Sequence, residues 1–229
     1  MNKTVYFDAK LFKFLSQLKK NNNREWFQKN KSRYELDVRD PLLRFIADFA
    51  TPLHKISKHF TADPRPIGGS LFRIYRDTRF SRDKSPYKTM ASAHFRHEAA
   101  GDVHAPGFYL HLEPTDVFLA AGIWQPGSDT LAKVRQAIVT HPERWKQITS
   151  GKTFKRTWIF WGEKLKRPPA GFDPNHAFIE DLKRKDFVAV HALTEKDACD
   201  TGFMDHTADL YTTAALFMKF LTEAVGLEY

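Results

Sequence analysis

Leu11, Phe14, Leu15 and Leu18 recur at helical spacing, and the run Asn21-Asn22-Asn23 that follows is turn and cap material. The pattern predicts a first helix that stops there and a second, capped by Asn23, that carries Trp26, Phe27 and Tyr34. Val38, Leu42, Phe45, Ile46, Phe49, Leu53 and Ile56 then continue an apolar stripe. Asp40-Pro41 and Thr51-Pro52 read as N-cap and first-turn pairs, so this stretch is expected as two or three helices.

From Pro64 the period changes from helical to alternating, and strands are expected over 70–76, 88–96, 107–113 and 116–124. Glu113-Pro114-Thr115-Asp116 reads as the turn of an antiparallel hairpin. Alternation sets Leu110 and Leu112 opposite Tyr109, His111 and Glu113, and sets His94 and Arg96 opposite Ala93 and Phe95. On the first strand it puts Arg73 and Tyr75 with Leu71, opposite Phe72, Ile74 and Arg76. The polar sets are expected to share one face, made of Arg73, Tyr75, His94, Arg96, Tyr109, His111 and Glu113, subject to a register that alternation leaves open.

Beyond Trp124 helical spacing returns, with Ser128 or Asp129 as cap for Leu131, Val134 and Ile138, and a further helix running from His141-Pro142 to near Gly151. Pro168, Pro169 and Gly171 mark a loop, 175–185 a short helix, Phe187 to Leu193 a strand, and Phe203 to Leu221 one long final helix. The expected fold is therefore α+β, a mainly antiparallel sheet flanked by N-terminal and C-terminal helices. It is read as a single domain over 1–229, helical to 62, sheet-rich over 63–125, and mixed thereafter.

The 229 residues carry a formal net charge of +9, which favours acidic partners such as phosphorylated metabolites, nucleic acid or an anionic membrane surface. Cys199 is the sole cysteine, so no intramolecular disulfide forms, in keeping with a reducing compartment. No secretory leader and no apolar run of membrane-spanning length is recognised, and the chain is read as soluble, cytoplasmic and not membrane-bound. The sequence assigns no oligomeric state.

The charge is uneven. Between Arg65 and Arg96 lie eight basic side chains and two acidic ones, an excess of six out of the nine. Residues 73–87, RIYRDTRFSRDKSPY, are the densest part. Guanidinium forks here suit carboxylate or phosphate. The candidate ligand-binding residues are Arg73, Arg76, Arg79, Arg82, Lys84 and Tyr87, joined by His94, Arg96, Tyr109 and His111 from the polar face. For catalysis, Asp77 or Asp83 is the candidate base and Lys84 the charge stabiliser. The competing reading is a loop stapled by its own arginines, with Arg76 set against Asp77 and Lys84 against Asp83.

No nucleophile elbow, Walker loop or HExxH sequence accompanies these residues, and no cofactor is assigned. His94, His97, His104 and His111 raise a metal question, but His97 and His104 are expected in a loop and no metal is assigned. A second basic region, Lys152 to Arg167, interleaves Lys152, Lys155, Arg156, Lys164, Lys166 and Arg167 with Phe154, Trp158, Phe160 and Trp161, the ingredients of a single-strand nucleic-acid surface or of a half-buried strand. Cys199 sits near Asp197 and Asp200, which would raise its thiol pKa and argue against a nucleophilic role.

The central segment fits the pattern RxxRDxRFxxDKxPY at Arg73, Arg76, Asp77, Arg79, Phe80, Asp83, Lys84, Pro86 and Tyr87. In this the chain resembles domain of unknown function family 2461, a bacterial family of about this length that also occurs in longer fungal proteins. The flanks resemble it as well, in Asn21 to Phe27 with Asn30, Lys31 and Tyr34, and in Gly122-Ile123-Trp124. The resemblance implies an uncharacterised, mainly bacterial protein with one α+β domain, and brings no catalytic assignment. The leading reading is binding of an anionic ligand through the 73–87 motif. The alternatives are a hydrolase acting on a phosphoester or related anionic bond, and nucleic-acid binding.

Overall fold

The computed structural model describes residues 4–99, 101 and 104–229. Helix α1, Ala9–Lys20, starts where Asp8 accepts a hydrogen bond from the Lys10 amide, and it buries Leu11, Phe12, Phe14, Leu15 and Leu18. It ends at Asn21, as the asparagine run predicts. Asn23 caps α2, Arg24–Lys29, by accepting from the Trp26 amide.

After Asn30 the backbone runs without interruption through α3 (Lys31–Tyr34), a π-helical turn (Glu35–Arg39) and α4 (Asp40–Ile56). The expected break at Thr51-Pro52 does not occur, because Pro52 lies inside α4. Leu42, Phe45, Ile46, Phe49 and Leu53 form one fully buried stripe, and Phe45 stacks on Phe49 at 5.3 Å. Burying side chains of this size contributes about 1.5–3 kcal/mol each, which offsets the roughly 3 kcal/mol cost of a helix-interior proline.

The sheet comprises β1 (Phe60–Thr61), β2 (Ala91–His97), β3 (Gly107–Glu113), β4 (Asp116–Ile123), β5 (Ile159–Trp161) and β6 (Phe187–Leu193). Its order is β1-β2-β3-β4-β6-β5, and every pairing is antiparallel. The predicted hairpin forms, with Glu113 opposite Asp116 and Thr115 at φ 68° in the turn. Phe108, Leu110 and Leu112 face the helices together with Leu119, Ala121 and Ile123 across the ladder, all essentially inaccessible.

The expected strand over 70–76 is not one strand. Residues 70–72 lie along β2, where the His94 amide donates to the Ser70 carbonyl and the Phe72 amide to that of Ser92. The chain then turns away, and 74–76 pair with 86–88 through Arg76 N–H to Pro86 O and Lys88 N–H to Ile74 O. The reason is periodicity. Leu71 pairs with Ala93 on the core side, so a continued strand would carry Arg73 into the core.

The same register corrects the polar face. Ser92, His94 and Arg96 share it with Tyr109, His111 and Glu113, but its member from the preceding segment is Phe72, stacked on His94, not Arg73 or Tyr75. His97, expected in a loop, ends β2 as a buried residue whose Nε2 lies 2.8 Å from the Glu228 carbonyl.

Towards the C-terminus, α5 (Ser128–Thr140) takes Gly127 as its cap, with Ser128 and Asp129 already helical, and α6 (Pro142–Ser150) follows as expected. After α7 (Lys152–Thr157), the predicted helix over 175–185 shrinks to α8, Ile179–Leu182. Past α9 (Glu195–Ala198), the expected final helix is two: α10 (Phe203–Thr213) and α11 (Ala215–Ala224), divided at Ala214. The break lets Tyr211 donate to the Tyr109 carbonyl while Phe217 turns to Trp145. Among the described residues no helix is long and apolar enough to cross a membrane.

Candidate functional site

The arginine-rich segment is a surface loop that ties itself together. Arg79 grips Asp77 with both Nε and Nη2, at 3.0 and 2.7 Å, and the Arg79 guanidinium and amide hold the Asp77 carboxyl down at about 2. Asp83 accepts from the Ser85 hydroxyl and amide and then from Arg76, and these hold it too at about 2. Arg76 also donates to the Ser85 carbonyl, and Lys84 donates to the Thr78 carbonyl at 2.9 Å. The pairs are thus Arg79 with Asp77 and Arg76 with Asp83, not the sequence neighbours Arg76 with Asp77 and Lys84 with Asp83. Phe80, at the tip, is 97% exposed.

The base of the loop is anchored in the core. Tyr87 stacks on Phe27 at 4.0 Å, and the Asn22 side chain makes both backbone hydrogen bonds of Tyr87, accepting from its N–H and donating to its carbonyl. The asparagine run that ends α1 therefore also fixes where the motif leaves the surface.

Beside this base lies a groove of about 570 Å³. Phe27, Tyr34, Phe72 and Tyr75 give it aromatic walls, residues 66–71 close one side, and Lys31, Arg39, Arg73 and Arg96 bring cations. Among the described residues Glu35 is the one carboxylate lining it, and Glu35 is already joined to Arg39 at 2.8 Å. Arg39 also bonds Asp40. Among the described residues the side chains of Lys31, Arg73 and Arg96 make no hydrogen bond or ion pair, although the charges of Arg73 and Arg96 reach Asp77 and Asp63 and help to lower their carboxyl pKa values.

Burial, and after it the arginine charges, acts on the neighbouring groups. His94, buried against the groove, is pushed down to about 4 by burial and then by Arg96. Lys88, whose Nζ lies 4.9 Å from the Phe72 ring centre, is lowered by burial and then by Arg73. His94 is therefore neutral at pH 7, and its Nδ1 is buried without a hydrogen-bond partner. Its ring passes so close to Gly107 that a Cβ there would meet Nε2 at 2.1 Å, so only glycine fits beneath it.

Of the ten candidate ligand-binding residues, the groove brings together Arg73, His94 and Arg96. Arg76, Arg79 and Lys84 are engaged within the loop, Arg82 is exposed on it, and Tyr87 is buried beneath it. Tyr109 and His111 lie along the sheet face outside the groove, with the Tyr109 hydroxyl 2.9 Å from His111 Nδ1. Asp77 and Asp83, held as ion-paired carboxylates, are poorly matched to a general base working near neutral pH.

Residues 10–220 match the family described as Conserved hypothetical protein (DUF2461). The chain belongs to that family. No curated protein and no solved structure matches it.

In this DUF2461 protein the groove residues missed by sequence reasoning are Lys31, Tyr34, Glu35 and Arg39. Lys31, Glu35 and Arg39 stand four apart, which puts them on one helix face and was the available signal; Tyr34 adjoins Glu35. In the second basic region Trp158 is buried and donates to Thr213, and Arg184 lies 4.0 Å from the Phe160 ring centre, which leaves Trp161 and Ile159 outward on β5. Cys199 does have a raised thiol pKa, through burial and then Asp8 and Glu195, not through Asp197 and Asp200.

Proposed function

We propose that the protein binds an anionic small molecule, phosphate- or carboxylate-bearing, in the groove between α3, the π turn and residues 66–75. The observation that carries this reading is that Lys31, Arg73 and Arg96 line one cavity and, among the described residues, form no ion pair, whereas Arg76 and Arg79 of the neighbouring loop are paired with its two aspartates. Arg96 is half-buried while Lys31 and Arg73 are exposed, so the attraction for an anion comes from several like charges gathered on one groove. The aromatic walls suit a ligand whose charged group is joined to a flat or apolar body. The π turn adds support, since such turns concentrate at functional sites.

The 73–87 motif takes a supporting part here. It delivers Arg73 to the groove and is locked by Arg76, Arg79 and Lys84. The hydrolase and nucleic-acid readings gain no comparable support, the first because its two aspartates are tied to arginines, the second because its rings are mostly packed inward. The sole cysteine accords with the cytoplasmic setting we assign.

Isothermal titration with orthophosphate, pyrophosphate, nucleotides and dicarboxylates tests the reading. At least one is expected to bind the wild type and Arg79→Ala alike, and to bind Arg73→Ala and Arg96→Ala at least about tenfold more weakly. A panel that binds nothing, or binding untouched by Arg73→Ala and Arg96→Ala, overturns it.

A further inference from the structure

On the far part of the polar sheet face stands a second group of side chains that the groove does not use. His111 and Glu113 are two residues apart on β3 and so project to one side. Asp116 is the cross-strand partner of Glu113, one tight turn later, and projects to that side too. One ligand atom from each of the three lies within 4.8 Å of the others. The hairpin geometry alone assembles them, and none of the three lines the groove.

His111 is the residue that asks for a ligand. It is 8% exposed, and its Nε2 is buried without any hydrogen-bond partner. That nitrogen points at Glu113, 3.6 Å from Oε2, too far for a hydrogen bond. The ring is held from two directions: Phe118 stacks on it at 4.4 Å, and the Tyr109 hydroxyl lies 2.9 Å from Nδ1. Glu113 is fixed as well, its Oε1 accepting from the Thr89 hydroxyl at 2.8 Å and lying 3.5 Å from Lys19 Nζ, so that Oε2 is turned to the histidine. A buried ring nitrogen left unpaired costs about 1–3 kcal/mol, and a cation placed between it and two carboxylates removes that cost.

We propose that His111, Glu113 and Asp116 bind one divalent transition-metal ion of the Zn²⁺ or Co²⁺ type. The imidazole nitrogen turns the set away from Mg²⁺ and Ca²⁺, which take oxygen ligands, and one nitrogen with two carboxylate oxygens suits a first-row ion. Three protein ligands leave a coordination position for water or an anion. An ion on Nε2 requires the ring proton on Nδ1, from which it is donated to the Tyr109 oxygen. That is the outer-shell hydrogen bond that orients metal-binding histidines.

Equilibrium dialysis of the full chain with Zn²⁺, and titration with Co²⁺ followed by visible absorption, read the site directly. One equivalent is expected, with a rise in Tm that Mg²⁺ does not produce. Asp116→Asn, a change at the exposed first residue of β4, is expected to weaken binding by about tenfold or more, and His111→Gln to abolish it, while His54→Gln leaves it unchanged. Absence of stoichiometric Zn²⁺ or Co²⁺ binding at micromolar concentrations, or equal affinity in Asp116→Asn and wild type, overturns the proposal. Because Asp116 is exposed, its result stands even where His111→Gln fails to fold.

Discussion

Two sets of cations lie side by side in this protein and behave oppositely. Arg76, Arg79 and Lys84 belong to the densest charge in the chain, yet each is bound to a carboxylate or a carbonyl of its own loop. Lys31, Arg73 and Arg96 come from three separate segments and line the groove with no ion pair among the described residues. Charge density along a sequence is therefore a poor guide to charge available for binding. A run of alternating Arg and Asp close in sequence has the means to satisfy itself, whereas cations gathered from distant elements are left to whatever enters between them.

The largest expected effect separates anchor from groove. Tyr87→Ala removes a ring stacked on Phe27 in the core and is expected to cost about 3–5 kcal/mol in urea unfolding. A loss under about 1 kcal/mol would mean that the loop is not held by this stack.

Next comes His94, whose folded pKa of about 4 lies below its ordinary 6.5. Between these values the unfolded chain takes up a proton that the folded protein refuses. Stability is thus full above about pH 6.5 and falls as pH drops towards 4, by ~3 kcal/mol in all. His94→Gln is expected to flatten that part of the pH profile of unfolding. An unchanged profile removes His94 from the account of the positive groove.

Smaller is the contrast between arginines. Arg73→Ala and Arg96→Ala are each expected to weaken anion binding by about tenfold, ~1.4 kcal/mol, with no change in unfolding midpoint. Arg79→Ala, on an exposed pair, is expected to leave both affinity and Tm alone. Equal losses at Arg73 and Arg79 would dissolve the distinction between the two sets.

The smallest effect is local. Asp77 and Asp83 are held at about 2, below an ordinary 3.8, so the stability they lend the loop is present above pH 3.8 and is lost as pH falls through 2. Amide exchange at Arg79 and Ser85 is expected to quicken over that interval relative to the amides of β3.

Much of the frame was legible beforehand because it rests on short-range rules. The end of α1 at the asparagines, the Asn23 cap, the hairpin turn at Glu113 to Asp116 and the strand Phe187–Leu193 each follow from a few neighbouring residues. The candidate site was legible only in part. Arg73, His94 and Arg96 do line one groove, but the strand expected to carry Arg73 is split, since Leu71 is set on the core side and the same period of two would bury Arg73. The Arg76–Asp83 pair spans seven residues and exists only once the loop has closed. Lys31, Glu35 and Arg39 stand at helical spacing, but a charged helix face carries no sign that residues 66–75 close over it to make a groove.

The π turn has an evolutionary corollary. It amounts to a helix that has accepted one more residue than its regular winding needs, and the wide turn takes up that residue locally, so the helix on either side keeps nearly the same phase. Deleting one residue between Glu35 and Arg39 would restore regular winding and leave Lys31, Tyr34 and α4 close to their present orientation. What such a deletion removes is the bulge in the groove wall itself, so an insertion or deletion there is a change of groove surface more than a change of fold.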